Sequence, residues 1–495
     1  MDVVDFTPAD VDTTIATACS AAAILRSTSP LQRGEMLRSG ADALEAAGAE
    51  LIELGRRETN YVEARMRSEL ARTCYQLRFF AGVVEEGSFV DATIDHVDPD
   101  WALGARPDIR RQMVPLGPVV VFAAGNFPFA FSVAGGETAS AIAAGCPVVL
   151  KVHPDHPMLS VRTGELFDAG LRDAGAPAGT IGLIHGVDAG RQALLDPRIT
   201  AVAFTGSTGG GRALYDLARS RPVPIPFFGE LGSINPTFVT PAATRARGAE
   251  IINGYVSSFT LGVGQFCTKP GLLFLPSDHG LTAEAVAAVE RVAPVNMTAA
   301  RIRDNHREGV ALLQNRPGVR TLVDGAVDEG GVSPTLLVTT AADVIADPSG
   351  VLDECFGPSS IIVECDDWGQ TCAAAELVPG ALTSTVHAEP SDVHLVRPLL
   401  DVLQQRSGRV IWNDWPTGVA VTWAMVHGGP YPSSTSAMYT SVGSAAMARF
   451  LRPVCYQNFP ADLLPPSVAE HNPWTIPQRV DGTLTISHDD IASRI

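Results

Sequence analysis

The stretch GVGQFCTKP, residues 262–270, sets Cys267 behind glycines at 262 and 264, between Phe266 and Thr268, and just ahead of Lys269 and Pro270. Glycines let a backbone turn sharply and approach another group closely. Cys267 therefore reads as a presented nucleophile, and a buried inert thiol is the competing reading. Glu230, in FFGELGS, sits among aromatics and glycines. An apolar setting raises a carboxylate's pKa and suits it to general-base work, although an interdomain ion pair would use the same residue. Asn126, in GNFPFAFS, follows an apolar run. Its amide suits a developing oxyanion, and it also suits an ordinary turn.

A second group of residues fits a phosphate. In AVAFTGSTGGGRALYDLA an apolar run ends at Phe204, a glycine-rich turn covers Gly206 to Gly211 with Ser207 inside it, and a helical pattern follows. Free N–H groups and the helix dipole at such a start attract anions. The segment is neither G-x-G-x-x-G nor a P-loop, because Arg212 and Ala213 stand where Lys and Ser/Thr are required. Lys151 closes the run PVVLK, at the carboxyl edge where open α/β sheets bind ligands; a solvated lysine there is the plain alternative.

These residues need a scaffold. Residues 8 to 90 carry apolar spacing of three and four and predict helices. From 113 the runs PVVVFAA, PVVLK, TIGLIH and TAVAF alternate with helical segments, which predicts a parallel, doubly wound sheet. Past 231 a second alternating series runs from NPTFV to GRVIWN, so the junction falls near FFGELGSINP. The tail from 453 is rich in proline and polar residues, and predicts an irregular arm lying along another surface.

Composition narrows the function. The chain has 495 residues, 46% apolar and 18% charged, enough to bury large cores. Its formal charge of −18 repels nucleic acid and anionic membranes, so neither is an expected partner. The 8 cysteines are scattered without C-x-x-C or metal-like spacing, and no metal is expected. The start lacks a signal-peptide pattern and no apolar run reaches a membrane-spanning length, so a cytoplasmic enzyme is expected.

In one order along the chain stand Asn126, Lys151, FTGST, ELG with Glu230, GQFC with Cys267, and ECFGP at 354–358. Together they resemble the aldehyde dehydrogenase superfamily. SINP, GQFCTKPG and HGGPYPSSTS further resemble a bacterial NADP-linked branch that includes 2,5-dioxovalerate (α-ketoglutarate semialdehyde) dehydrogenases and a long-chain fatty aldehyde dehydrogenase. The resemblance implies an α/β fold with two doubly wound domains and a small oligomerisation arm. It places the cofactor domain at 1–230 with about 428–452, the catalytic domain at 231–427, and the arm and tail at about 92–112 and 453–495.

For the site, the resemblance implies Cys267 as nucleophile, Asn126 and the Cys267 N–H as oxyanion donors, and Glu230 as the base that activates water. Glu354 and Phe356 hold the nicotinamide ribose, while Gly206, Ser207 and Gly211 approach the pyrophosphate. Pro154 stands where NAD-specific relatives commonly carry an acid. NADP+ is therefore expected over NAD+, with Lys151, Arg212 and His153 near the 2′-phosphate. His427, in the segment that replaces a usual glycine- and lysine-containing one, either tunes Cys267 and relays a proton or is a satisfied loop histidine. The expected substrate is 2,5-dioxopentanoate, with Arg65, Arg67 and Arg72 as candidate carboxylate partners, and a homodimer or homotetramer is expected. A fatty or medium-chain aldehyde is the rival substrate. A non-catalytic binding protein and a cofactor-independent thiol hydrolase are the readings from other classes.

Overall fold

The computed structural model describes residues 4–328 and 331–485. Four helices open the chain: Pro8–Leu25, Pro30–Ala46, Gly48–Thr59 and Glu63–Glu86. The first two begin where TPAD and SPLQ supply capping boxes. Thr7 and Ser29 accept from the third helical N–H, Asp10 and Gln32 reach back, and proline occupies the first turn. Leu37, Leu44, Leu51 and Phe80 from these helices join one core with Val119, Val121, Val148 and Leu150.

Those valines belong to a five-stranded parallel sheet in the order Ile181–Ile184, Val148–Lys151, Val119–Phe122, Ala201–Thr205 and Phe227–Glu230. Alternate side chains enter opposite cores: Val119 and Val121 pack with the second, third and fourth helices, while Val120 and Phe122 pack with Ile15 of the first helix, Ile184 and Val202. From Val119–Phe122 the chain first builds outward on one side, then returns to build on the other. The carboxyl ends of Val119–Phe122 and Ala201–Thr205 are thus the switch point at which open sheets leave a crevice.

After residues 231–235 a seven-stranded sheet begins, ordered Arg320–Val323, Thr335–Thr340, Ser359–Cys365, Leu272–Pro276, Pro236–Val239, Ala381–His387 and Ser407–Trp412. Its strands are parallel except for the antiparallel edge at Arg320–Val323. Phe238 and Phe274 fill one face, and Tyr255 and Phe259 cover the other. The two doubly wound sheets match the expected fold class.

The tail departs from the irregular arm predicted for it. Leu451–Gln457 pairs with Ile109–Pro115, and Gln478–Val480 runs beside Ala92–Asp95. Val468 and Ile476 from the tail are buried with Val90 and Ala92, a small core of their own. The isolated apolar residues among the prolines supply that core, which composition alone concealed. Residues 486–495, the end of the expected arm, lie outside the described residues. Among the described residues no helix is long and apolar enough to cross a membrane.

Candidate active site

A cleft of about 690 Å³ opens at the switch point of the first sheet and reaches the second. Asn126, His153, Gly206 and Ser207 line it from one side, and Cys267, Glu354 and Phe356 from the other.

The loop that carries Cys267 follows the helix Pro241–Thr260. Gly262, Val263 and Gly264 are successively left-handed, with φ of 58°, 58° and 64°. A β-branched residue there is strained, and Val263 is buried against Met297 and Val332. Gly264 has no alternative: a Cβ on it would lie 2.2 Å from the Gly357 carbonyl group. That contact sets the Cys267 loop directly on the segment carrying Glu354 and Phe356. Lys269 strengthens the junction by donating to the carbonyls of Cys355 at 2.9 Å and Ser359 at 2.7 Å. Buried Asn235 donates to the carbonyls of Cys267 at 2.8 Å and Lys269 at 2.9 Å.

Cys267 meets two further groups. His427 Nε2 lies 3.4 Å from Cys267 Sγ and 2.8 Å from Glu230 Oε1. Ser441 Oγ donates to the other Glu230 oxygen. Burial, then the charges of Glu230 and Glu354, push the Cys267 thiol well above its ordinary value. A thiol pushed that high keeps its proton, and His427 Nε2 is the ring nitrogen set beside it. Glu230 corrects the expectation of a raised carboxylate. Burial does push it up, but the charge His427 carries once protonated, 2.8 Å away, the Ser441 hydrogen bond and Arg449 together hold it below the usual value. The partners come from residues 427–449, far along the chain, and the FFGELGS environment did not reveal them.

Asn126 is held from both sides. Its Nδ2 donates to the Gln265 carbonyl at 3.1 Å, and its own carbonyl accepts from Tyr61 Oη at 3.0 Å and Arg65 Nη2 at 3.3 Å. The Arg65 guanidinium lies between the rings of Tyr61, Phe127 and Phe266, at 4.6, 4.7 and 4.8 Å from their centroids. Phe127 follows Asn126 and Phe266 precedes Cys267, so one cation–π cage joins the two loops. Glu69 pairs with Arg65 and accepts from the N–H groups of Phe129 at 2.9 Å and Ala130 at 3.2 Å.

On the cofactor side, Ser207 caps the helix Thr208–Arg219 by accepting from Gly210 N at 3.3 Å. Gly206, Ser207 and Gly210 line the cleft, whereas Lys151, Pro154, Gly211 and Arg212 stand outside its lining. Gly211 instead lets the helix close on its strand, since a Cβ there would lie 2.2 Å from Leu231. Arg212 is half exposed and paired with Asp216 at 3.0 Å. Burial pushes Glu354 up to about 7, against the pull of Lys269. His306 Nδ1 donates to the Phe356 carbonyl at 3.1 Å. A helix start free of acidic residues in its first turn, and a buried carboxyl across the cleft, fit a dinucleotide's phosphates and a ribose.

Among the arginines flagged for a substrate carboxylate, Arg65 is committed to its cage and Arg67 to a surface pair with Glu63. Arg72 keeps a buried Nη1 with no hydrogen-bond partner among the described residues. Sequence reasoning did not single out Asn235, Lys269, Tyr61, Glu69 or Ser441. For Asn235 and Lys269 the signal was present, in SINP and two residues after Cys267.

The switch-point cleft and the second α/β layer that closes it define a two-domain dehydrogenase architecture. The chain belongs to the aldehyde dehydrogenase family, which matches it over residues 1–453. It is 45% identical over 458 residues to alpha-ketoglutaric semialdehyde dehydrogenase 2 of Azospirillum brasilense, covering 91% of this chain and 87% of that one. It is 38% identical over 463 residues to alpha-ketoglutaric semialdehyde dehydrogenase of Acinetobacter baylyi, covering 92% and 88%. The fold superposes on the NAD+ complex of an aldehyde dehydrogenase from Bacillus cereus with a TM-score of 0.77, at 21% identity, over 92% of this chain and 90% of that one. The protein is accordingly an aldehyde dehydrogenase that uses a nicotinamide cofactor.

Proposed function

We propose that the protein oxidises 2,5-dioxopentanoate to the dicarboxylic acid with NADP+, through a thioester on Cys267. The observation that carries the chemistry is the contact of Cys267 Sγ with His427 Nε2, 3.4 Å apart on the floor of the cleft. The two full-length relatives named for alpha-ketoglutaric semialdehyde support the substrate.

In this reading His427 Nε2 takes the Cys267 proton as Sγ adds to the aldehyde carbon. Asn126 Nδ2 and the Cys267 N–H hold the resulting oxyanion, and losing one such donor costs about 10²–10³ in rate. The bound nicotinamide supplies a hydride acceptor, and Gly206, Ser207, Glu354 and Phe356 would hold the dinucleotide. A thioester then remains on Cys267. Glu230, ionised and oriented by Ser441, deprotonates the water that cleaves it, and His427 is placed to share that proton.

The distal 2-oxo acid of the substrate calls for a cation. Arg72 supports that role, with its guanidinium 5.3 Å from the ring centre of Phe131, which lines the cleft. Losing a charge-assisted hydrogen bond costs about 1.5–3 kcal/mol. Arg72→Ala should therefore raise the KM for 2,5-dioxopentanoate by roughly 10- to 100-fold and leave that for a medium-chain aldehyde nearly unchanged.

For NADP+ over NAD+, the support is Pro154 in place of an acid, and an adjacent Asp155 whose carboxylate is balanced by Arg301 at 3.6 Å. Arg212→Ala raising the KM for NADP+ more than that for NAD+ fits this assignment; equal changes remove Arg212 from it. The deciding experiment follows reduced-nicotinamide absorbance with 2,5-dioxopentanoate and long-chain aldehydes, each with both cofactors. Faster turnover of the long-chain aldehydes would overturn the substrate. A homo-oligomer is also proposed, since Leu451–Gln457 is an edge strand with one side unpaired among the described residues; light scattering on the pure protein tests it.

A further inference from the structure

The three side chains that meet on the cleft floor are also three metal ligands. Cys267 Sγ, His427 Nε2 and Glu230 Oε1 all lie within 4.8 Å of one another. They are separated in the sequence, so no spacing pattern announces them, and the scatter of the cysteines had suggested no metal. Zinc takes thiolate sulfur at about 2.3 Å and imidazole or carboxylate atoms at about 2.0–2.2 Å. A tetrahedral ion therefore needs its ligand atoms about 3.3–3.6 Å apart. The sulfur–nitrogen separation is already 3.4 Å, and the nitrogen–oxygen one, 2.8 Å, must open by about half an ångström.

We propose that Cys267, His427 and Glu230 form a binding site for a zinc-class divalent cation, and that the bound ion stops turnover by holding the sulfur as its ligand. Thiolate, carboxylate and neutral imidazole balance a charge of +2, so the buried floor becomes neutral. Binding releases the thiol proton to solvent and requires no oxidant or reductant. Ser441 occupies Glu230 Oε2, while Oε1 has no aligned hydrogen-bond donor and is left for the ion. Cys267 and Glu230 both line the cleft, which supplies an entry path and a water as fourth ligand.

The second shell sets the character of the site. Resident zinc histidines pair their other ring nitrogen with a carboxylate or carbonyl, and losing that partner typically costs 10- to 100-fold in affinity, an order-of-magnitude range. His427 Nδ1 is buried without a hydrogen-bond partner among the described residues. The site is therefore a reversible inhibitory one and not a structural centre. Its inhibitory effect rests on the proposed role of Cys267; the binding itself rests on geometry alone.

Cobalt(II) is the probe, added to the intact enzyme in a Cys455→Ser background because that thiol is exposed. The expected result is one equivalent bound, with a thiolate-to-cobalt charge-transfer band and tetrahedral ligand-field bands that zinc abolishes. Zinc should inhibit oxidation of the aldehyde, and a chelator should restore it. Cys267→Ser should remove the charge-transfer band, and His427→Ala and Glu230→Gln should each weaken cobalt binding about tenfold or more. A band that survives Cys267→Ser, or affinity unchanged in both other variants, overturns the site. A band without inhibition leaves the site standing and overturns the inhibitory half, together with the role given to Cys267.

Discussion

Arg65 Nη2 donates to the backbone carbonyl of Asn126 at 3.3 Å, so a residue of the N-terminal helical layer grips the loop that carries the candidate oxyanion donor. Through Phe266, the same guanidinium also touches the loop that carries Cys267. The two loops belong to different sheets, and Arg65 fixes one against the other.

Arg65 should therefore act as a positioning residue. Arg65→Ala is expected to lower kcat by roughly tenfold to a hundredfold with little change in KM, less than the about 10²–10³ that removing an oxyanion donor itself costs. Added guanidinium should restore part of the rate. Combined with Asn126→Ala, it should cost little more than Asn126→Ala alone, because both act on one element. Fully additive losses would show that Arg65 serves only stability.

Ser441 should tune the deacylation base. Its hydroxyl donates to Glu230 and helps hold that carboxylate below its ordinary value. Ser441→Ala removes a bond to the charged form, so the Glu230 pKa should rise. The acidic limb of the kcat–pH profile should then move to higher pH in the variant. A limb that stays in place would separate Glu230 from the rate-limiting base.

Two buried carboxyls predict a pH-dependent stability. Burial pushes both Glu137 and Glu354 from 4.5 up to about 7. Their folded values lie above their unfolded ones, so each binds its proton more tightly in the folded state. The stability they contribute is full below about 4.5 and is lost as pH rises through about 7. Each is worth on the order of 3 kcal/mol at the acid end. The Tm of the ligand-free protein should carry a component that falls across this window, and Glu354→Gln should remove part of the slope. An identical slope in wild type and variant would contradict the assignment.

Gly264 should tolerate nothing larger. Gly264→Ala combines a φ of 64° with a Cβ placed 2.2 Å from the Gly357 backbone. It should destabilise by more than about 1 kcal/mol and cut the titratable active-site thiol. Gly82, whose Cβ would meet nothing within 4 Å in the helix Glu63–Glu86, is the control. Gly82→Ala should be neutral or stabilising by up to about 1 kcal/mol, as read by thermal melts.

The amino-acid order by itself determined the layers of this protein. Valine-rich runs alternating with helical patterns can be satisfied only by buried parallel strands with crossovers, and the residues ending those strands fall at a sheet's carboxyl edge. Asn126, Gly206 and Ser207 follow such strands, Cys267 stood out by the glycines before it, and all four line the cleft. Only the tertiary structure decided what surrounds them. The protonation of Glu230 depends on His427 and Ser441, the seating of Asn126 on Arg65 and Tyr61, and the Cys267 loop on Asn235, Lys269 and the close pass of Gly357. Gly211 and Arg212 adjoin the glycine-rich turn in sequence, and only the fold shows that the helix sets one on Leu231 and pairs the other with Asp216. Electrostatics and steric contact act over a few ångströms in space, and residues that distant in the chain become neighbours only once both sheets have closed on each other.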